Sequence, residues 1–271
     1  MNAGIGVAAA AAALVAWAVM RARLASPPGP LMRTNVSGRS VPAVLGDAVA
    51  AGALAGLLGL WPGASGGDRF EAGAAVAVVV AVMWAAGRTD DLRGDERERG
   101  FKGHLRAAAR GRLTGGVLKI VAGGLSGLGA AAFTTEGWDL LLVAATVALA
   151  ANLFNLLDRA PGRAAKLWLL VMVPVLVAGG EIWAVPGVGI VAATVVVLPA
   201  DLKERGMLGD AGSNPIGAVW GLLLAHALST SGNVAALVVL VALNAASEKW
   251  SFSAVIDRTP GLRAFDRLGR K

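Results

Sequence analysis

Four aspartates fall where apolar runs begin or end: Asp90 and Asp91 in "AAGRTDDLRGDERERG" (85–100), Asp158 in "ANLFNLLDRAPGRAAK" (151–166) and Asp210 in "MLGDAGSNPIGAVWG" (207–221). Asn152 and Asn155 precede Asp158 at helical spacing, which places the three close to one side of a helix. A carboxylate at the edge of an apolar bundle is costly unless it is paired or metal-bound, and is a functional candidate for that reason. The chain has no cysteine and two histidines, His104 and His226, so zinc and thiol chemistry are disfavoured. Carboxylate and amide oxygens suit Mg²⁺ or Mn²⁺, which keep waters and engage phosphates. Each group also has a structural reading. Asp90 and Asp91 pair with Arg88 and Arg93, the asparagines bond between helices, and Asp210 caps a helix that Ser213, Asn214 and Pro215 mark as starting.

The elements that must position these residues are membrane helices. With 56% hydrophobic residues, 16% charged residues and a mean hydropathy of +0.64, the chain lies far from the average soluble domain. Apolar runs long enough to cross a bilayer occur near 3–20, 42–61, 70–87, 113–133, 138–157, 164–179, 182–200, 207–228 and 234–247. This predicts an all-α polytopic bundle of about nine transmembrane helices over 1–250, followed by a basic interfacial tail over 251–271. Strand alternation is absent. The 164–200 stretch reads either as one helix kinked at Pro174 or as a hairpin turning at Gly179, Gly180 and Glu181.

Basic residues decide between these, because short cytoplasmic loops collect them. With nine spans and the N-terminus outside, Arg21 to Arg39, the run from Arg88 to Arg112, Arg159 to Lys166, Lys203, Arg205 and the tail all fall inside, and Arg69 alone lies outside. Merging 164–200 into one span breaks this sorting, so the hairpin is expected, with the C-terminus cytoplasmic. The first run suits an uncleaved span, since Arg21 and Arg23 follow it and no basic residue precedes it. The net charge of +7 is thereby assigned to membrane orientation and anionic substrates, with no nucleic-acid partner.

Taken in order and on alternate spans, "GRTDDLRG", "NLFNLLDRAPGRA" and "MLGDAGSNPIGAVWG" resemble the polyprenyl-phosphate N-acetylhexosamine-1-phosphate transferase superfamily. Its members include the phospho-N-acetylmuramoyl-pentapeptide transferase of peptidoglycan synthesis and the lipid-linked GlcNAc-1-phosphate transferases. The resemblance runs from "MRTNVSGRSVP" (32–42) to about residue 225. It implies that Asp90 and Asp91 match the aspartate pair near metal and lipid phosphate and that Asp210 matches a metal-binding aspartate. Asn152, Asn155 and Asp158 match the motif of the nucleotide-sugar pocket, and Lys119 a phosphate-holding lysine. The family follows its asparagines with Asp-Gly-x-Asp-Gly, whereas Arg159, Ala160, Pro161 and Gly162 follow Asp158 here. The family's late histidine-bearing loop and tenth span have no counterpart. The tail "SFSAVIDRTPGLRAFDRLGRK", with Leu262, Phe265 and Leu268 on one face, looks like that of shorter bacterial members.

The chemistry so implied is Mg²⁺-dependent attack of a polyprenyl phosphate on the β-phosphorus of a UDP-sugar, giving a polyprenyl-diphospho-sugar and UMP at the cytoplasmic face of a bacterial inner membrane. Asp91 and Asp210 hold the metal and Asp90 orients or deprotonates the lipid phosphate. Arg159 and Arg163 offer phosphate contacts in place of the missing aspartate. Two rivals stay open. One is a catalytically silent relative serving as a scaffold or regulator of envelope assembly. The other is a transporter, which calls for midplane charges and an inverted repeat. The sugar, the lipid length and the assembly state, a homodimer included, are left open.

Overall fold

In the computed structural model the described residues are 3–63, 67–93 and 115–270, with the backbone alone described at 61–63 and 115–120. They form ten α-helices: α1 (Ala3–Ala25), α2 (Leu45–Gly56), α3 (Gly67–Arg93), α4 (Gly115–Thr134), α5 (Asp139–Leu157), α6 (Arg163–Leu202), α7 (Asp210–Ala227), α8 (Thr230–Ser247), α9 (Phe252–Arg258) and α10 (Pro260–Arg267). Among the described residues α1, α3, α5, α6 and α8 are long and apolar enough to cross a membrane. Helix α2 is shorter and continues as a 3₁₀ turn over Leu57–Gly63. Together these two pieces extend about 30 Å.

The 164–200 stretch doubles back. A straight helix of 40 residues reaches about 60 Å, yet Gly162 at its start lies against Leu198 and Leu202 at its end. The reversal is at Gly180, whose φ of 68° and ψ of −163° fall in a region open almost only to glycine. Gly187 on the second arm faces Leu176 on the first. The expected hairpin is therefore present.

One short element is not helical. Met32–Thr34 (β1) and Ser40–Pro42 (β2) form a two-stranded antiparallel ribbon with Arg33 opposite Val41. Asn35 closes its turn by accepting the Ser37 and Arg39 backbone N–H groups. Three-residue strands joined by an asparagine turn are too short to show alternation, which is why the sequence pattern hides them.

Small residues set the packing. Helix α7 is buried along most of its length and packs on α5, α3, α6 and α2. Met83, Trp168, Met172, Ile216, Leu222 and Leu223 fill the core between them. The two ends of the bundle differ. One carries isolated polar contacts, among them Arg69 with Glu181 at 3.1 Å and Thr134 with His226 at 3.0 Å. The other gathers Asp47, Arg88, Asp91, Asp158, Asp201, Asp210 and the tail, and is the charged end of the molecule.

Candidate functional site at the charged end

The end of α3 meets the start of α7. Asp91 accepts the Asp210 backbone N–H on Oδ1 and the Ala211 N–H on Oδ2, each at 3.0 Å. These are orphan donors of a helix start, so Asp91 caps α7 from another helix. The approach is possible because Gly87 has no side chain, as a Cβ there would collide with the Asp210 carbonyl. Helix α7 accordingly starts at Asp210, earlier than Ser213, Asn214 and Pro215 suggest, and Pro215 lies inside it. Asp210 sits in the first turn, where a negative charge meets the positive end of the helix dipole.

From α5, Asn155 donates through Nδ2 to Asp210 Oδ1 at 2.5 Å and to Ser213 Oγ at 3.1 Å. Asn152 faces elsewhere, donating to Asn244 Oδ1 on α8 at 2.6 Å. Positions three apart differ by about 60° around a helix, enough here for α7 to cover one asparagine and α8 the other. Asp158 sits at the C-terminal cap of α5, beyond the last helical residue. Burial pushes its carboxyl well above the ordinary range, and the charges of Asp201, Asp210 and Asp91 push it further. Four carboxylates from α3, α5, α6 and α7 thus share one end within electrostatic reach.

The remaining candidates have other surroundings. Asp90 is half-buried beside Asp91. Arg159 is exposed at the surface. Arg163 is buried and committed to the tail, with Nε and Nη2 donating to the two carboxylate oxygens of Asp266 at 2.7 and 3.1 Å and Nη1 donating to Ser253 Oγ at 2.7 Å. Lys119 belongs to α4, but its side chain lies outside the described residues, as does the basic run beyond Arg93. Arg88 forms its ion pair with Asp47 of α2 and donates to the Ala43 carbonyl at 3.0 Å.

Sequence reading passed over three residues here. Asp47, 5% exposed, receives Arg88, Trp84 Nε1 at 2.9 Å and Arg23 Nε at 2.9 Å, so it ties α1, α2 and α3 together. A lone acid near the start of an apolar run was the signal for it. Arg33 of the ribbon donates to the Asp91 main-chain oxygen. Asp201, at the end of α6, is 4% exposed and its Oδ2 has no hydrogen-bond partner among the described residues.

Among the described residues no three His, Cys, Asp or Glu side chains converge closely enough to form a metal cage. Mg²⁺ does not need one, since it is commonly held by one or two carboxylates, waters and substrate phosphates. Asp91 retains a lone pair on each oxygen beyond its two amide bonds, and Asp210 and Asn155 stand beside it. This donor set fits a hard divalent cation. No protein-family model and no functionally curated protein matches the chain.

Proposed function

We propose that the chain is a polytopic membrane phospho-sugar transferase, with its N-terminus outside and its charged end in the cytoplasm of a bacterial cell. It moves a sugar-1-phosphate from a UDP-sugar to a polyprenyl phosphate. The observation that carries this reading is the junction of Asp91, Asp210, Asn155 and Asp158, brought from three helices to one end of an apolar bundle. A lipid phosphate oxygen attacks the β-phosphorus of the nucleotide sugar. The bond from that phosphorus to the bridging oxygen breaks, and UMP leaves with the electron pair. Positioning and charge neutralisation dominate such transfers. When bound, Mg²⁺ supplies charge neutralisation for the diphosphate and the departing UMP. Asp91 and Asp210 would hold the cation, at the junction where Asp91 caps the start of α7. Asn155 fixes the Asp210 rotamer, and Asp90 orients the lipid phosphate, whose second pKa near 6 makes a strong base unnecessary. Asp158 contacts the nucleotide sugar, and the exposed Arg159 draws its phosphates in.

A second reading, a catalytically silent relative that organises envelope assembly, is favoured by Arg163 and Asn152. Both are spent on internal contacts, to Asp266 and Asn244. Release of UMP from a panel of UDP-sugars separates the two, using purified protein with polyprenyl phosphate and Mg²⁺. Turnover supports the transferase. A folded protein that neither binds nucleotide sugar nor releases UMP across the panel leaves the scaffold as the better account.

A further inference from the structure

A groove of about 810 Å³ opens between the end of α1 and the end of the second arm of α6. Trp17, Val196 and Ala200 line its apolar part, and Arg21, Lys203 and Arg205 its basic part. None of these residues belongs to the carboxylate site. Among the described residues no acidic side chain pairs with any of the three cations. Arg23, Arg33 and Arg88, at the same end of the bundle, all have partners. Trp17 is 53% exposed, with the Arg21 guanidinium 5.9 Å from its ring centre, a pairing suited to the headgroup level of a bilayer.

Three unpaired cations beside an apolar cleft complement one kind of molecule. The cations match a phosphate, and the cleft matches the first part of an acyl chain. Basic pockets between transmembrane helices on the cytoplasmic side bind anionic headgroups by this chemistry. We propose that the groove binds an anionic glycerophospholipid of the surrounding bilayer, with its phosphate on Arg21, Lys203 and Arg205 and its chain against Val196 and Ala200. The occupant is a bilayer lipid and not the polyprenyl acceptor because no residue of the carboxylate site lines the groove, and the segment leading from Arg205 to Asp210 is tied to β2 and α2. Met207 N–H donates to Pro42 O at 2.9 Å, Leu45 N–H to Met207 O at 3.2 Å and Gly46 N–H to Leu208 O at 3.1 Å. The lipid fastens α1 to α6, and the inference stands whether or not the carboxylate site transfers sugar phosphate.

The test is lipid titration of the full chain in a neutral detergent, read by native mass spectrometry and thermal unfolding, with phosphatidylglycerol, phosphatidylcholine and undecaprenyl phosphate as separate probes. Phosphatidylglycerol binds and raises the melting temperature, and phosphatidylcholine does neither. Each basic residue near the surface contributes about fivefold, so the triple variant Arg21→Gln, Lys203→Gln, Arg205→Gln weakens phosphatidylglycerol binding on the order of 100-fold. Val196→Phe keeps every cation but fills the wall, and it also weakens binding. Arg69→Gln, at the opposite end, leaves binding unchanged. Should the triple variant fail to fold, Lys203→Gln and Arg205→Gln are read singly, each with a loss of about fivefold. Equal binding of the zwitterionic and anionic lipids overturns the proposal, as does unaltered phosphatidylglycerol binding in the groove variants. Undecaprenyl phosphate binding in preference to phosphatidylglycerol, and losing its affinity in the same variants, also overturns it by making the groove the acceptor's.

Discussion

Asp91 accepts the backbone N–H of Asp210 at 3.0 Å, so the last turn of α3 and the first turn of α7 are joined by a carboxylate that caps a helix other than its own. Asp91→Ala orphans the Asp210 and Ala211 amides and is expected to cost about 1–2 kcal/mol. Asp91→Asn keeps one acceptor and loses less. Denaturant unfolding in detergent checks the order, and equal stability of all three proteins would remove the cap from the account.

Asp210→Asn preserves shape and the contact to Asn155 but removes a charge. Metal affinity is expected to fall by roughly 10–100-fold or more, seen as loss of Mg²⁺-dependent thermal stabilisation together with loss of UMP release. An unchanged Mg²⁺ titration in this variant would make Asp210 an ordinary first-turn acid.

Asp158 is held above the ordinary carboxylate range by burial and by Asp201, Asp210 and Asp91. A carboxyl raised on folding contributes stability that is fully present below its unfolded value and is lost as pH rises through the raised one. In Mg²⁺-free buffer Asp158→Asn should therefore gain stability relative to wild type as pH rises, and the gap should close in acid. Melting curves across pH test this, and a gap independent of pH counts against the carboxylate cluster.

Arg163 and Asp266 form a buried pair that closes the tail onto the 158–163 turn, helped by Lys166 Nζ donating to the carbonyls of Phe265, Asp266 and Leu268. Burial works to raise the Asp266 pKa, but hydrogen bonds and charge from Arg163, with Arg270, hold it below the ordinary value. Its contribution is thus present above that value and is lost as pH falls through the lowered one. Asp266→Asn or Arg163→Met alone is expected to cost about 3–5 kcal/mol, and the double variant Arg163→Met, Asp266→Leu distinctly less than the sum. Additive costs would show the two residues to be independent. Loss of turnover in an Arg163 variant accordingly reports tail release before it reports phosphate contact.

Cysteine labelling is clean in a chain without cysteine. Ser37→Cys in the ribbon turn and Thr259→Cys in the tail are expected to react from the cytoplasmic side, and Glu136→Cys between α4 and α5 from the outside. Reaction of Ser37→Cys and Thr259→Cys from opposite faces would dissolve the single charged end as a cytoplasmic site.

The hairpin of α6 and most helix positions were legible because apolar run length and basic-residue placement are local properties of the chain. Gly180 marked the reversal, as glycine is the residue suited to its backbone angles. The carboxylate positions at run ends were legible for the same reason. The start of α7 was misplaced because its cap comes from Asp91, over a hundred residues earlier, and no local signal announces a donated cap. Asn152 and Asn155 look equivalent in sequence, yet their directions differ by about 60°, and only the neighbouring helices decide what each one meets.

The sequence by itself determined an apolar helical bundle with most of its aspartates and arginines at one end, since hydropathy and charge sorting depend on composition and order alone. The tertiary structure decided which charges face which. Arg88 could serve Asp90, Asp91 or Asp47 by proximity in the chain or across it, and it goes to Asp47 because that carboxylate is buried in α2 and an unpaired charge there is costly. Arg163 goes to Asp266 for the same reason, leaving Asp91, Asp158, Asp201 and Asp210 as the like-charged group at the junction of α3, α5, α6 and α7.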